Sequence, residues 1–530
     1  MLLNNEKNDK GYKTLQFAVW VIIFIIIHGE MIFNKLSWHD DIYFIDKLNT
    51  DLDYGRVYGT SHGRFSFFFL IKAVEKITSE GIIASPVEQG IVSAVCTICI
   101  GYLIIRILNI KESVGRVSVI LICISIPATA GNLGYMTFAG YDLAGALLAV
   151  VAAYYCICHE NKKSLILSSF LLALAIGEYQ CYLTLFLAIL MCHFIGYLII
   201  EERSDRLLKV FIRYAVTTLL SVVLYLIINR AVLSYFHENL TDYGSINTYG
   251  IVPVAEYFKR IVLAYKDFIN PEYTMYTMFP MRYFWHAILL GLLLLEMIVI
   301  GVYIVSKKKV VSIVFWVLLA VVIPMVFNFN IVMYGTRPLH SLHQYQYILL
   351  YALIIMLGEL ICKPVIRAIY PVKNIHFGRV YLLVAGYVFF MGFLYVRYDN
   401  LCYTEAELRQ SQAISYFNAL ISDIHNADGY YNEIPVCYVN EFDKRLPSNH
   451  DNYEGKNLIV TNPYNSEIMG NIAMTHSWRE YMAQWCNYAP YSTPVISQLS
   501  EAAQLKVESM PRYPDKGSIK VIEGTLVINF

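Results

Sequence analysis

LQFAVWVIIFIIIHGEMIF, residues 15–33, is apolar for long enough to cross a hydrocarbon layer, which takes about 20 residues of helix. No small-residue cleavage site follows the apolar run, so the segment reads as a retained first span rather than a signal peptide. The pattern recurs along the chain: 57% of the residues are hydrophobic and only 15% charged, the signature of a polytopic α-helical membrane protein. Basic and acidic residues balance at 41 each and form no long run of one sign, which points away from a nucleic-acid partner and leaves the lipid bilayer as the surrounding medium. Cys96 and Cys99 lie inside one apolar segment, and Cys156 and Cys158 inside another. They read as small buried side chains, and no zinc site is expected.

Spans are expected near 15–33, 84–108, 117–131, 138–158, 165–177, 181–200, 209–229, 287–306, 310–330, 342–361 and 380–397, about eleven in all. Charge orients them. Lys162 and Lys163 precede 165–200 while Arg203, Arg206 and Lys209 follow it, so a hairpin of two crossings keeps both clusters on one side, the side that also holds Lys307, Lys308 and Lys309. The positive-inside rule then predicts an inner N-terminus and an outer C-terminus.

Residues 1–397 form the expected transmembrane domain, with large outer loops at 34–83 and 230–286. In the first, RFSFFFLIKAVEKITSE repeats its charges at helical spacing and predicts an interfacial amphipathic helix. VAEYFKRIVLAYKDF predicts another in the second loop. Residues 398–530 read as a small extracytoplasmic α/β domain: a helix in AELRQSQAISYFNALISDI, strands in IPVCYVN and NLIVT, and a terminal hairpin in SIKVIEGTLVINF.

On this topology the conspicuous polar groups fall on the outer side. Asp40 and Asp41 follow the first span in SWHDDIYFIDK, and His62 and Arg64 come next in YGTSHGRFSFFF. Asp142 stands in FAGYDLAG, Glu178 and Gln180 interrupt the apolar run LALAIGEYQCYLTLF, and Arg337 lies in YGTRPLH. Each has a plainer reading: a solvated flank for the acid pair, a helix N-cap for Asp142, a turn for Glu178, a headgroup anchor for Arg337. Convergence of acids and bases on one face favours a site. One of Asp40 and Asp41 could take a proton from an acceptor hydroxyl while Arg64 and His62 hold a phosphate, and the adjacent carboxylates could also hold a divalent cation.

The series HDDIYF, SHGRFSFFF, YDLAG and GEYQCYLTLF, over roughly the first 350 residues, resembles the Gtr-type membrane glucosyltransferases that decorate O-antigen and related surface polysaccharides, members of the GT-C class. Asp40–Asp41 and Gly63–Arg64 look like that family's first-loop motif, and Glu178-Tyr179-Gln180 looks like its YQ motif. Phe65 departs from the tryptophan or similar residue expected after Gly-Arg. The resemblance implies transfer of a hexose from a polyprenyl-phosphate donor to a polysaccharide or glycolipid acceptor at the outer face of the bacterial plasma membrane. Asp40 or Asp41 would be the base, Arg64 and Arg337 would hold the phosphate, and Glu178 and Gln180 would contact the sugar or steady the acids. The rival from another class is a transporter or flippase of lipid-linked saccharides, which calls for midplane polar groups and two related halves. A polysaccharide polymerase or ligase would rest on arginines rather than on an acid pair.

Overall fold

The computed structural model describes residues 2–34, 54–78, 85–135, 137–201, 203–241, 252–271, 283–335, 341–367, 377–440 and 478–530. Asp40, Asp41 and Arg337, and the strand expected in NLIVT, lie outside them. The chain divides into two compact units, one whose main run ends at Cys402 and the other whose main run begins at Tyr403.

Ten helices among the described residues are long and apolar enough to cross a membrane, from Leu15–Phe33 to Gly378–His425. The segment expected as an eleventh span, 165–177, is a helix, Lys162–Glu178, but its 17 residues fall just short of the shortest of the ten. Its partner in the expected hairpin, Tyr182–Ile200, follows after three residues.

The expected span 117–131 is broken. Pro127 has no N–H to donate and disfavours a helical residue before it, so Ile126 is extended (φ −64°, ψ 139°) between the helices Ser113–Ser125 and Pro127–Leu133. Thr129 Oγ1 donates to the Cys123 carbonyl at 3.0 Å and so satisfies a group next to the break, which hydrocarbon could not do. Pro324 lies inside Val310–Phe327, near its end, without interrupting it. There Tyr265 donates its hydroxyl to the Val321 carbonyl at 2.6 Å, and Asn328 separates this helix from the short helix Phe329–Tyr334.

The helix expected in the first outer loop is present as Phe65–Thr78. Phe65, Phe67, Phe68 and Ile71 are buried, and Phe67 meets Phe138 edge-on at 5.3 Å, so its apolar face is covered by protein. Val254–Ile269 divides its apolar residues: Ala264 and Phe268 are buried, while Val254, Phe258 and Val262 are exposed.

The second unit is α/β. A three-stranded sheet has the order β1 (Val436–Val439), β3 (Thr525–Asn529), β2 (Ile519–Ile522), with β1 parallel and β2 antiparallel to β3. The hairpin expected at the C-terminus is thus present, and Glu523 and Gly524 turn it at positive φ. One face of the sheet, with Val436, Leu526 and Ile528, packs on Phe417, Leu420 and Ile424. The other face, with Cys437 and Val527, packs on Ala503, Val507 and Met510. The span expected at 380–397 and the helix expected after it are a single helix, Phe377–His425. No Gly or Pro occurs between Phe393 and His425 to interrupt it.

Candidate functional site

The site begins at a turn. Gly63 closes the helix Tyr54–Ser61 in the left-handed region, at φ +70°. Its N–H donates to the Thr60 carbonyl at 2.9 Å, and the Arg64 N–H reaches back to the Gly59 carbonyl at 2.7 Å, the paired bonds of a Schellman cap. Arg64 is thereby set at the start of the next helix. A Cβ on Gly63 would lie 2.6 Å from Tyr225 Oη. Gly63→Ala is therefore expected to cost about 1–2 kcal/mol from backbone conformation alone. Displacement of Tyr225 adds to that, and a lowered unfolding temperature of the purified variant in detergent is the readout.

Two close approaches bring Arg64 to the acids. Phe65 packs so tightly on Gly177 that a Cβ there would stand 2.5 Å from its ring, which places the residue before Phe65, Arg64, and the residue after Gly177, Glu178, in one neighbourhood. Glu178 ends its helix and is 2% exposed. It crosses Ala139–Cys158 at Gly145, where a Cβ would meet Glu178 Cγ at 2.5 Å. Gly145 is three residues on from Asp142, one helical turn, so Asp142 shares that face. The N-cap of that helix is Phe138, and Asp142 stands within the first turn, so the capping reading does not hold. Gln89 Oε1 accepts the Gly140 N–H there at 2.8 Å, and Tyr182 donates its hydroxyl to the Asp142 carbonyl at 2.6 Å.

Arg64 thus stands within electrostatic reach of both Asp142 and Glu178. Its guanidinium donates to Tyr58 Oη at 3.1 Å and lies over the Tyr179 ring, 4.2 Å from the centroid. Two buried polar atoms here have no hydrogen-bond partner among the described residues: Arg64 Nε and Glu178 Oε1. A buried N–H and a buried carboxyl oxygen that find no partner are each costly, and a polar ligand would satisfy both.

The other expected residues stand beside this cluster. Gln180 donates to the His62 carbonyl at 2.8 Å and faces the Tyr225 hydroxyl, which itself donates to the Gly63 carbonyl at 3.2 Å. The amide therefore braces the turn that carries Arg64. His62 Nδ1 bonds the Tyr58 carbonyl at 2.7 Å. Burial, aided by the neighbouring Arg64 charge, lowers its pKa to about 4, so its ring is neutral at pH 7. No group of three or more His, Cys, Asp or Glu among the described residues is placed to hold a metal ion.

Sequence reasoning passed over Tyr58, Tyr182, His343, Asn330 and Tyr334. His343 stacks on Tyr179 with ring centroids 5.2 Å apart and shares a hydrogen bond with the Tyr179 hydroxyl. The repeated polar and aromatic residues of HQYQY, residues 343–347, at the start of an otherwise apolar span, were the available signal.

Residues 29–357, more than half of the chain, match a family model described as Glucosyl transferase GtrII. Comparisons with curated proteins and with solved structures found no match.

Proposed function

The chain belongs to the GtrII glucosyl transferase family, and from that premise we propose that it moves glucose from a polyprenyl-phosphate donor to a cell-envelope glycan at the outer face of the plasma membrane, in a GT-C-like transmembrane domain. The observation that carries the donor assignment is the Arg64 guanidinium, seated on Tyr179 beside Asp142 and Glu178 with its Nε–H unsatisfied. A buried cation with an unused donor suits a phosphate oxygen at the membrane surface.

In this reading Asp40 or Asp41 takes the proton of the acceptor hydroxyl. The hydroxyl oxygen attacks the anomeric carbon, and the bond from that carbon to the phosphate oxygen breaks with inversion. Polyprenyl phosphate leaves with the bonding electrons, so the leaving group needs stabilising cations rather than an acid. Arg64 and Arg337 supply them, and His62, being neutral, adds no charge. Glu178 Oε1 accepts from a sugar hydroxyl. A divalent cation, were one to take part, would be held by Asp40 and Asp41.

The direct test is a membrane assay with radiolabelled polyprenyl-phosphate glucose. Label is expected to leave the lipid and enter a polymeric glycan only in membranes that contain this protein. Label retained on the lipid in both membranes would end the reading, and label that changes leaflet without changing carrier would favour a flippase.

Orientation is tested separately. Lys162, Lys163 and Lys307–Lys309 are assigned to the inner side. A cysteine introduced near residue 50 or in the C-terminal unit is expected to react with an impermeant thiol reagent from outside, and one near Lys308 only after permeabilisation. The reverse pattern would put the acids in the cytoplasm and remove the outer-face site.

A further inference from the structure

Tyr179, the ring beneath Arg64, is itself held by a residue that no role above uses. His343 stands in a 3-10 helix, Ser341–Tyr347, which is kinked at Gln344 (φ −111°, ψ 17°) and leads into the apolar helix Ile348–Ile361. Its imidazole stacks on Tyr179 at 5.2 Å (22° between planes) and on Tyr334 at 5.4 Å (27°), and its Nε2 is engaged by the Tyr179 hydroxyl. Its main chain is also anchored: Asn330 Nδ2 donates to the His343 carbonyl, and Asn330 Oδ1 accepts from Thr184 Oγ1 at 2.6 Å. Thr184 lies on the helix that follows the Glu178-Tyr179-Gln180 turn. Of the two tyrosines that His343 touches, Tyr179 carries the Arg64 guanidinium directly. One imidazole therefore ties the late segment 329–347 to the first outer loop through the ring on which the guanidinium rests.

We infer that His343 is a positioning residue for the anion site: it fixes the Tyr179 ring and thereby the plane of the Arg64 guanidinium. The inference rests on the reading of Arg64 as the phosphate partner. A guanidinium presents its donors in one plane, so a fixed plane aims the unsatisfied Nε–H before the lipid arrives. The loss of side-chain freedom then falls on folding rather than on binding.

The experiment uses the full chain in lipid nanodiscs, with polyprenyl phosphate as the binding probe and phenylglyoxal modification of Arg64, followed by peptide mass spectrometry, as a readout independent of turnover. His343→Ala is expected to weaken polyprenyl-phosphate binding about tenfold, the scale of one charge-assisted contact made mobile. Arg64 should be modified several-fold faster, while turnover at saturating donor stays within about twofold, the pattern of a lost ground-state contact. His343→Phe, which keeps a stacking ring, should recover most of both effects, and His343→Gln, which keeps a polar group without the ring, less. Unaltered Arg64 reactivity in His343→Ala overturns the inference, as does a fall in turnover with donor binding intact. Should His343→Ala not accumulate, equal Arg64 reactivity in the Phe and Gln variants overturns it. If the wild-type protein does not bind polyprenyl phosphate, the donor assignment fails while the phenylglyoxal comparison still judges the positioning role.

Discussion

Asn in place of Asp40 or Asp41 should stop glucosyl transfer, by on the order of 10²-fold or more as for the loss of a general base, while the protein still inserts and still binds donor lipid. The argument starts from what the reaction needs. A departing lipid phosphate carries its own charge, so the remaining proton-transfer requirement is a base for the acceptor hydroxyl. The two carboxylates follow the Leu15–Phe33 span, where a lipid-held phosphate and a water-borne hydroxyl can meet. Asn keeps the size and hydrogen-bonding capacity of Asp and removes only its basicity, so a loss of turnover with donor binding retained isolates that step. Full activity in both variants would make the pair a solvated flank and would move the base to Glu178, whose Oε1 is buried without a hydrogen-bond partner among the described residues.

Composition was enough to read the helical membrane class, because long apolar runs have few other uses, and each of the ten helices of spanning length overlaps an expected segment. Hydropathy averages over a window, however, and it passed over breaks caused by single residues. Pro127 divides one expected span in two, and the 17-residue helix Lys162–Glu178 is shorter than the other ten. The helix Phe377–His425 shows the opposite case: the change from apolar to polar composition lies close to the division between the units at Cys402, but the backbone, lacking Gly or Pro there, does not end its helix at that point.

Arg64, Asp142 and Glu178 were legible as a set because charges beside apolar runs are costly and therefore conspicuous. What brings them together was not legible, since it depends on shape between segments distant in sequence: the Phe65 ring on Gly177, and the Glu178 side chain against Gly145. His343, Tyr58 and Tyr334 were missed for a related reason. A tyrosine among 43, or a histidine among 13, carries no local signal until its neighbours across the fold are known.

The second large effect is expected at Arg64. Its replacement by Ala removes a cation whose hydrogen bonds to a phosphate are each worth about 1.5–3 kcal/mol, so donor lipid should bind roughly 10- to 100-fold more weakly for each bond lost. The same change also removes the cation beside Asp142 and Glu178. Arg64→Lys keeps the charge but loses the planar group that lies on Tyr179 and the Nε–H, so it should restore only part of the affinity. Equilibrium binding of polyprenyl phosphate to the purified variants measures this apart from chemistry, and unfolding temperatures show whether either variant has lost its fold. Unchanged binding in a folded Arg64→Ala protein would place the phosphate on Arg337 instead, and would leave Arg64 as a structural counter-charge to the two buried acids.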